Sequence, residues 1–221
     1  MDDKDSIVMR RIPLDKCQGS DNDEKHMSKI ALFQEIKFLT QFCHRNLVSY
    51  LGVFNLPDCI EIVQEYVPHP TLKSLCSQQA YINDESTLAY FSKQIIQGLE
   101  YLHHYDMMHG NLKAANIYVR PDSSIQLADF GRIYSKLDKQ TVINSENFHW
   151  MAPELLQKGD YNIMNSFHDV WSLGCTVFEL LTGEPPWHEE QSKIGLLMKI
   201  TFSNGVLKYP ADISAELLDF L

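Results

Sequence analysis

The sequence predicts an α+β fold with two lobes, in which a small β-rich first lobe precedes a larger, mainly helical second lobe. Short apolar segments of strand length indicate the first lobe, and long apolar periodicities of helical spacing indicate the second. Between them, the prolines of residues 65–70 remove backbone donors and cannot continue a regular element. We therefore assign the first lobe to residues 1–64, a hinge to residues 65–70 and the second lobe to residues 71–221.

Composition and charge exclude several classes of function. Acidic side chains number 29 and basic ones 19, so the formal net charge of the 221 residues is −10. Nucleic acids and anionic membranes recruit clustered Lys and Arg, so this balance excludes both as the main partner. No apolar run approaches the ~18–20 residues that a membrane span needs. The acidic start MDDKDS is also unlike a signal peptide.

Five cysteines are scattered along the chain and form no Cys-x-x-Cys pair: Cys17, Cys43, Cys59, Cys76 and Cys175. This spacing predicts neither a disulfide framework nor a structural zinc site. Together with the lack of a targeting signal, it predicts a cytoplasmic protein.

The first lobe contains one predicted helix with a charge on its apolar face. A short strand is predicted at residues 7–9. From residue 30 the period becomes helical, with one face formed by Leu32, Ile36, Leu39 and Cys43. Glu35 lies on that face. Because a buried carboxylate is costly unless a cation meets it, we expect a basic side chain from another element beside Glu35.

Further elements follow in order along the chain. Strands at residues 48–54 and 60–63, joined by a turn, complete the sheet of the first lobe. In the second lobe, a long amphipathic helix is marked by Leu88, Phe91, Ile95, Leu99 and Leu102. The remaining predictions are a hairpin of Ile117–Val119 with Ile125–Leu127, a buried helix at residues 170–181 and a late helix at residues 215–221.

Four short motifs stand in order after the long helix: HGNLKAAN at 109–116, DFG at 129–131, MAPE at 151–154 and DVWSLG at 169–174. Each alone is a weak signal, but in this order, with a hairpin and a loop in the gaps, they resemble the eukaryotic protein kinase fold. The stretches KAANIYV, WMAPELL and DVWSLGCTVFELLTGEPPW are most similar to MAP kinase kinase kinases. Those are serine/threonine enzymes at the top of phosphorylation cascades, so the resemblance implies protein partners in such a cascade.

This resemblance implies a role for each matching position. Phosphoryl transfer depends mainly on positioning and charge neutralisation. Asn116 and Asp129 are implied as ligands of Mg²⁺ that bridges the phosphates of ATP, since oxygen donors suit this cation. Lys113 is implied to lie against the transferring phosphate, and Glu35 to pair with the strand cation that grips the α- and β-phosphates.

Other positions have implied roles around this centre. Residues 64–67 match the adenine-binding hinge, with Gln64 at the entrance to the back pocket and Glu65 and Val67 against the nucleotide. His109 is implied to pack in the second lobe and to hydrogen-bond the backbone near Asp129. Asp169 is implied to accept backbone hydrogen bonds from the catalytic loop.

Three positions depart from the family pattern in ways that affect catalysis. Asn111 replaces the catalytic aspartate, and a neutral amide can position a hydroxyl but cannot act as a general base near neutral pH. Gly110 replaces the arginine that in many kinases receives an activation-loop phosphate. The strand lysine is replaced by Arg10 or, with a slip of one residue, by Arg11. Arginine can pair bidentately with Glu35, but it does not substitute for a compact ammonium at the phosphates.

The remaining departures concern the substrate platform and the length. Residues 146–148 replace a Gly-Thr-Pro run whose threonine bonds the catalytic aspartate and lysine, so we expect an altered platform. The resemblance also implies two strands and a glycine-rich loop before Ile7 and an arginine partner for Glu154 after Leu221. We therefore expect a domain truncated at both ends, with an exposed sheet edge, and a Glu154 that finds another cation or faces solvent.

Three interpretations follow from these residues. The first is a pseudokinase, a scaffolding or allosteric module whose pocket does or does not hold ATP and Mg²⁺. In the second, a weakly active serine/threonine kinase uses Lys113, Asn116 and Asp129 with substrate positioning alone. A degenerate product that folds poorly is the third.

Overall fold

Three antiparallel strands form the first lobe in a computed structural model that describes residues 6–13, 30, 33–79, 84–131, 147–158, 165–202, 207–211 and 213–221. The strands β1 (Ile7–Pro13), β2 (Tyr50–Asn55) and β3 (Cys59–Glu65) lie in the order β1-β3-β2. Strand β3 is central and mostly buried, whereas β1 is exposed at five of its seven positions. Within the described residues, the outer side of β1 is an unpaired edge, as predicted.

Helix α1, over residues 33–39, contributes a narrow apolar stripe to the core. Ile36 and Leu39 are buried, and the helix ends before Cys43, which is exposed. Glu35 lies about 100° around the helix from Ile36 and faces solvent. The predicted burial of Glu35 is therefore wrong, because the stripe is too narrow to include it. Leu32 lies outside the described residues.

The second lobe contains six helices in its described part: α2 (Leu72–Gln79), α3 (Glu85–His104), α4 (Pro153–Lys158), α5 (Ser166–Thr182), α6 (Lys193–Phe202) and α7 (Ala215–Phe220). The hairpin of β4 (Ile117–Val119) and β5 (Ile125–Leu127) stands between α3 and α4, with the predicted boundaries. Short 3₁₀ turns at Ala114–Asn116 and Phe148–Trp150 complete the lobe.

The two long helices have clear end signals and form the centre of the second lobe. Asp84 caps α3 by accepting hydrogen bonds from the backbone N–H groups of Ser86 and Thr87. Asn165 caps α5, which ends at Gly183 in a left-handed conformation, φ 81°. All five apolar positions predicted for α3 are buried, whereas the first turns of α5 are more exposed than expected.

Backbone and side-chain bonds of Asn46 fix the hairpin against the first lobe. The N–H of Leu127 donates to the Asn46 carbonyl at 2.8 Å, and Asn46 Nδ2 donates to the Ile125 carbonyl at 2.9 Å. One continuous buried cluster includes Ile36 of α1, Ile60 of β3 and the hairpin residues. The segments on either side of the hairpin are therefore held at the boundary between the lobes. Among the described residues, no helix has the length and apolar content needed to cross a bilayer.

Candidate functional site

The loop between α3 and β4 is anchored by one buried carboxylate. Asp169, at the start of α5, is completely buried and accepts hydrogen bonds from the backbone N–H groups of His109 (2.7 Å) and Gly110 (2.9 Å). Its Oδ2 atom also lies 2.8 Å from His103 Nε2. The role predicted for Asp169 is confirmed. Gly110 has φ 70°, a conformation that glycine adopts without steric cost.

His109 packs inside this loop, as predicted, but bonds to a different group. Its ring is fully buried against Phe130, with ring centroids 6.4 Å apart, and burial lowers the pKa of the imidazole. The Nδ1 atom accepts the backbone N–H of Asn111 at 3.2 Å, and Nε2 has no hydrogen-bond partner among the described residues, so the predicted bond to the backbone near Asp129 is wrong. His109 therefore serves as a neutral support for the position of Asn111.

Asn111 and Lys113 are joined by a third side chain, Asn147. The Asn147 Nδ2 group donates to Asn111 Oδ1 at 3.0 Å, and Lys113 Nζ donates to Asn147 Oδ1 at 2.8 Å. Lys113 Nζ also lies 5.5 Å from the centroid of the Trp150 ring, a distance at which cation–π attraction operates. The two predicted catalytic positions are thus brought together and buried or half-buried.

The bridge by Asn147 was not predicted, because residues 146–148 were expected only to disturb the platform. An amide has both a donor and an acceptor, so it can serve the two neighbours at once. The available signal was its position in the run that replaces Gly-Thr-Pro.

The two predicted metal ligands lie side by side. The Ala128 N–H donates to the Asn116 carbonyl at 2.8 Å, which places Asn116 next to the segment that begins with Asp129. Asn116 Nδ2 donates to the Asn111 carbonyl at 2.7 Å, so its amide oxygen is the group left for another partner. Asp129 has φ 57° and is followed by Phe130, which is 1% exposed.

Arg10 contacts Asp129 rather than Glu35. The Arg10 Nη1 atom lies 2.7 Å from Asp129 Oδ1, and both side chains are partly exposed. Glu35 forms no ion pair with any residue that the structure describes. The predicted Arg10–Glu35 pair is therefore wrong, because the exposed Glu35 needs no buried cation and Arg10 finds Asp129. Arg11 donates to Glu61 at 2.6 Å, which identifies Arg10 as the residue that faces the site.

The hinge residues Glu65 and Val67 have different surroundings. Glu65 Oε1 accepts hydrogen bonds from the Ser49 N–H (3.0 Å) and from Gln126 Nε2 (2.8 Å). This carboxylate therefore ties the end of β3 to the hairpin. Val67 is half-buried, and its backbone polar groups bond no other described residue. The backbone N–H and carbonyl of Val67 are therefore available to a partner other than the described residues.

Glu154 meets a histidine. Its Oε1 atom lies 3.3 Å from His168 Nε2, and 48% of the Glu154 side chain remains exposed. His168 Nδ1 accepts the Asn165 N–H at 2.9 Å, and His168 Nε2 forms no hydrogen bond with any described residue, so its contact with Glu154 is one of proximity only. Of the two outcomes left open by the sequence, exposure of Glu154 to solvent is therefore the one that the structure supports.

Comparison with known proteins agrees with this geometry. The model of the protein kinase domain family matches residues 7–221. Curated relatives include "Mitogen-activated protein kinase kinase kinase 3" of Arabidopsis thaliana, 37% identical over 196 residues, which are 86% of this chain and 29% of the relative. "Cell division control protein 7" of Schizosaccharomyces pombe is 32% identical over 219 residues, which are 98% of this chain and 19% of the relative.

The chain belongs to the protein kinase domain family, and within that family it resembles the mitogen-activated protein kinase kinase kinases. A second Arabidopsis relative, "Mitogen-activated protein kinase kinase kinase 2", is 33% identical over 211 residues. This match covers 93% of the chain and 31% of the relative. The chain thus spans less than a third of the length of these curated relatives.

Proposed function

From this family membership, we propose that the chain is a pseudokinase module of a MAP kinase cascade. In this proposal it keeps the kinase shape, transfers phosphate poorly or not at all, and acts as a scaffold or allosteric partner for other cascade proteins. We also propose a cytoplasmic location, which the free thiols of the four described cysteines support.

The contact between Arg10 and Asp129 is the observation on which the proposal rests. The guanidinium lies 2.7 Å from the carboxylate that the family uses as a metal ligand, so a cation other than a metal already neutralises it. In addition, Asn111 stands at the general-base position and its neutral amide cannot take a proton from a substrate hydroxyl near neutral pH. Both faults reduce phosphoryl transfer without disturbing the fold.

Protein kinases generally use ATP and Mg²⁺, and the donor set of this site fits a hard cation. We propose that Asn116 and Asp129 would be its ligands only where Arg10 releases Asp129, and that Val67 lies at the adenine. Bound there, the cation would neutralise charge on the phosphates. Lys113, held by Asn147, would then lie where it stabilises negative charge on the transferring group.

A weakly active serine/threonine kinase is the second candidate. The bridge from Asn147 to both Asn111 and Lys113 favours it, because the hydroxyl-positioning amide and the phosphate-binding cation keep a fixed relationship. This candidate expects Asn111→Asp alone to raise the rate by roughly 10²–10⁴, the usual contribution of a general base. The pseudokinase proposal expects Asn111→Asp alone to stay at background, because Arg10 still holds Asp129.

A phosphotransfer assay separates these outcomes. Purified chain, Mg²⁺ and radiolabelled ATP are incubated with a generic protein substrate, beside Asp129→Ala as the control for contaminating kinases. We expect wild type, Asn111→Asp and Asp129→Ala to give the same background incorporation. Turnover by the wild type that Asp129→Ala abolishes would refute the pseudokinase proposal.

A further inference from the structure

Arg10 is fixed in place by the sheet. It lies on β1 opposite Ile62 of β3, and neighbouring positions of a strand point to opposite faces. Arg11, the next residue, accordingly bonds Glu61 and not Asp129. The pairing register of β1 with β3 thus fixes the position from which Arg10 contacts Asp129. The Arg10 and Asp129 side chains are 48% and 34% exposed, so the pair is open to a ligand from solvent.

Asp129 is fixed from the other side. The next residue, Phe130, is buried against the ring of Tyr50 with centroids 4.9 Å apart, and the Tyr50 hydroxyl donates to the Phe130 carbonyl at 3.1 Å. Burial and the negative charge of Asp129 raise the pKa of Tyr50, so this hydroxyl keeps its proton and remains a donor. Both partners of the ion pair are therefore held by buried neighbours.

The guanidinium has capacity beyond this contact. Arginine carries five N–H donors in a planar fork, and Asp129 takes one of them. The other donors suit phosphate oxygens, which arginine binds in a bidentate manner. A single side chain can therefore bond Asp129 and a phosphate at the same time, and so bridge two anionic groups as a divalent cation does, but with one positive charge instead of two.

We propose that Arg10 takes the place of the divalent cation, so that the site binds a nucleoside triphosphate without Mg²⁺. This inference rests on the proposed function, because it takes the kinase pocket as a nucleotide-binding site. A divalent cation at Asp129 must approach or displace the positive charge of Arg10. Added Mg²⁺ therefore raises the affinity of the wild type for the nucleotide only slightly.

Isothermal titration of the full chain with ATP, in EDTA and in excess MgCl₂, tests the proposal. We expect the wild-type dissociation constants in the two buffers to differ by less than fivefold. Arg10→Ala removes the guanidinium and frees Asp129, so its affinity is expected to be at least fivefold tighter in MgCl₂ than in EDTA. Arg11→Ala is the matched control on the same strand and is expected to behave as the wild type. A thermal melt of each variant checks folding.

Three results would overturn the proposal: a wild type that binds ATP at least fivefold more weakly in EDTA, an Arg10→Ala variant indifferent to Mg²⁺, or a folded wild type that binds no ATP in either buffer. None of these results contradicts the proposed function, because a pseudokinase that binds no ATP can still act as a scaffold. The proposed function is instead contradicted if the wild type transfers phosphate in the radiolabel assay. The failure of this inference and the failure of the proposed function are therefore distinguishable.

Discussion

Asn147 Nδ2 donates a hydrogen bond to Asn111 Oδ1 at 3.0 Å, and Asn147 Oδ1 accepts a hydrogen bond from Lys113 Nζ at 2.8 Å. Two neutral amides therefore occupy a contact that the family makes with a threonine and an aspartate. Because an amide donates as well as accepts, the arrangement keeps its geometry while it loses its negative charge. The site thus keeps the placement of the side chains that a kinase centre needs but lacks the negative charge at Asn111.

Removal of this bridge is expected to destabilise the fold. Asn147→Ala removes the hydrogen bond to the buried Asn111 oxygen and the hydrogen bond from the Lys113 ammonium, and such losses cost about 1–3 kcal/mol. Urea denaturation measures the change. Gln97→Ala on the exposed face of α3 is the control and is expected within about 0.5 kcal/mol of the wild type. Equal midpoints for both variants would show that the bridge contributes nothing.

Structure was predicted most accurately from the sequence where the local residue pattern and the packing of the folded chain favour the same conformation. The hairpin Ile117–Val119 with Ile125–Leu127 was predicted to the residue, because β-branched residues flank a clear turn. The motif at Asp169 gave its role, since a buried acid at the start of a helix must find backbone donors.

The errors at the candidate site concern contacts between distant segments. Glu35 was predicted in a buried pair with Arg10, but the width of the apolar stripe on α1 depends on what packs against it. Arg10 has two carboxylates within the predicted site, and only the fold decides that Asp129 is the nearer. The bridge by Asn147 was missed for the same reason, because spacing in sequence does not give the distance between two loops.

Two glycines of the long helices are expected to respond in opposite ways to alanine. A Cβ atom at Gly98 would lie 2.8 Å from Leu127 Cδ1, which is fully buried, so Gly98→Ala is expected to cost about 1–3 kcal/mol. A Cβ atom at Gly174 meets nothing within 4 Å, so Gly174→Ala is expected to gain up to ~1 kcal/mol of helix propensity. Thermal melts of the pair test this, and a stabilised Gly98→Ala variant would contradict the close packing.

Glu179 is expected to make stability depend on pH. Its buried Oε2 atom accepts the Ala114 N–H and the Trp150 Nε1–H, each at 3.1 Å, and burial raises its pKa above the ordinary 4.5. Above that ordinary value the folded state binds more protons at Glu179 than the unfolded state. The contribution of Glu179 to the free energy of unfolding therefore falls as pH rises through the window up to the folded pKa.

Glu179→Gln removes this titration and can keep both hydrogen bonds through its one oxygen. The free energy of unfolding of the variant minus that of the wild type is expected to increase with pH from about 4.5 and to level off above the folded pKa. Urea unfolding of both proteins across this range provides the measurement. A difference that stays constant with pH would contradict the raised pKa.

The most direct measurement is the phosphotransfer rate of the double variant Arg10→Lys/Asn111→Asp. It restores the compact cation and the general base at the two positions to which the loss of catalysis is attributed. We predict a rate at least roughly 10²-fold above the background shared by the wild type and Asp129→Ala, with Arg11→Lys/Asn111→Asp as the matched control that stays at background. A folded double variant that remains at background, or a wild type that already equals it, would contradict the account.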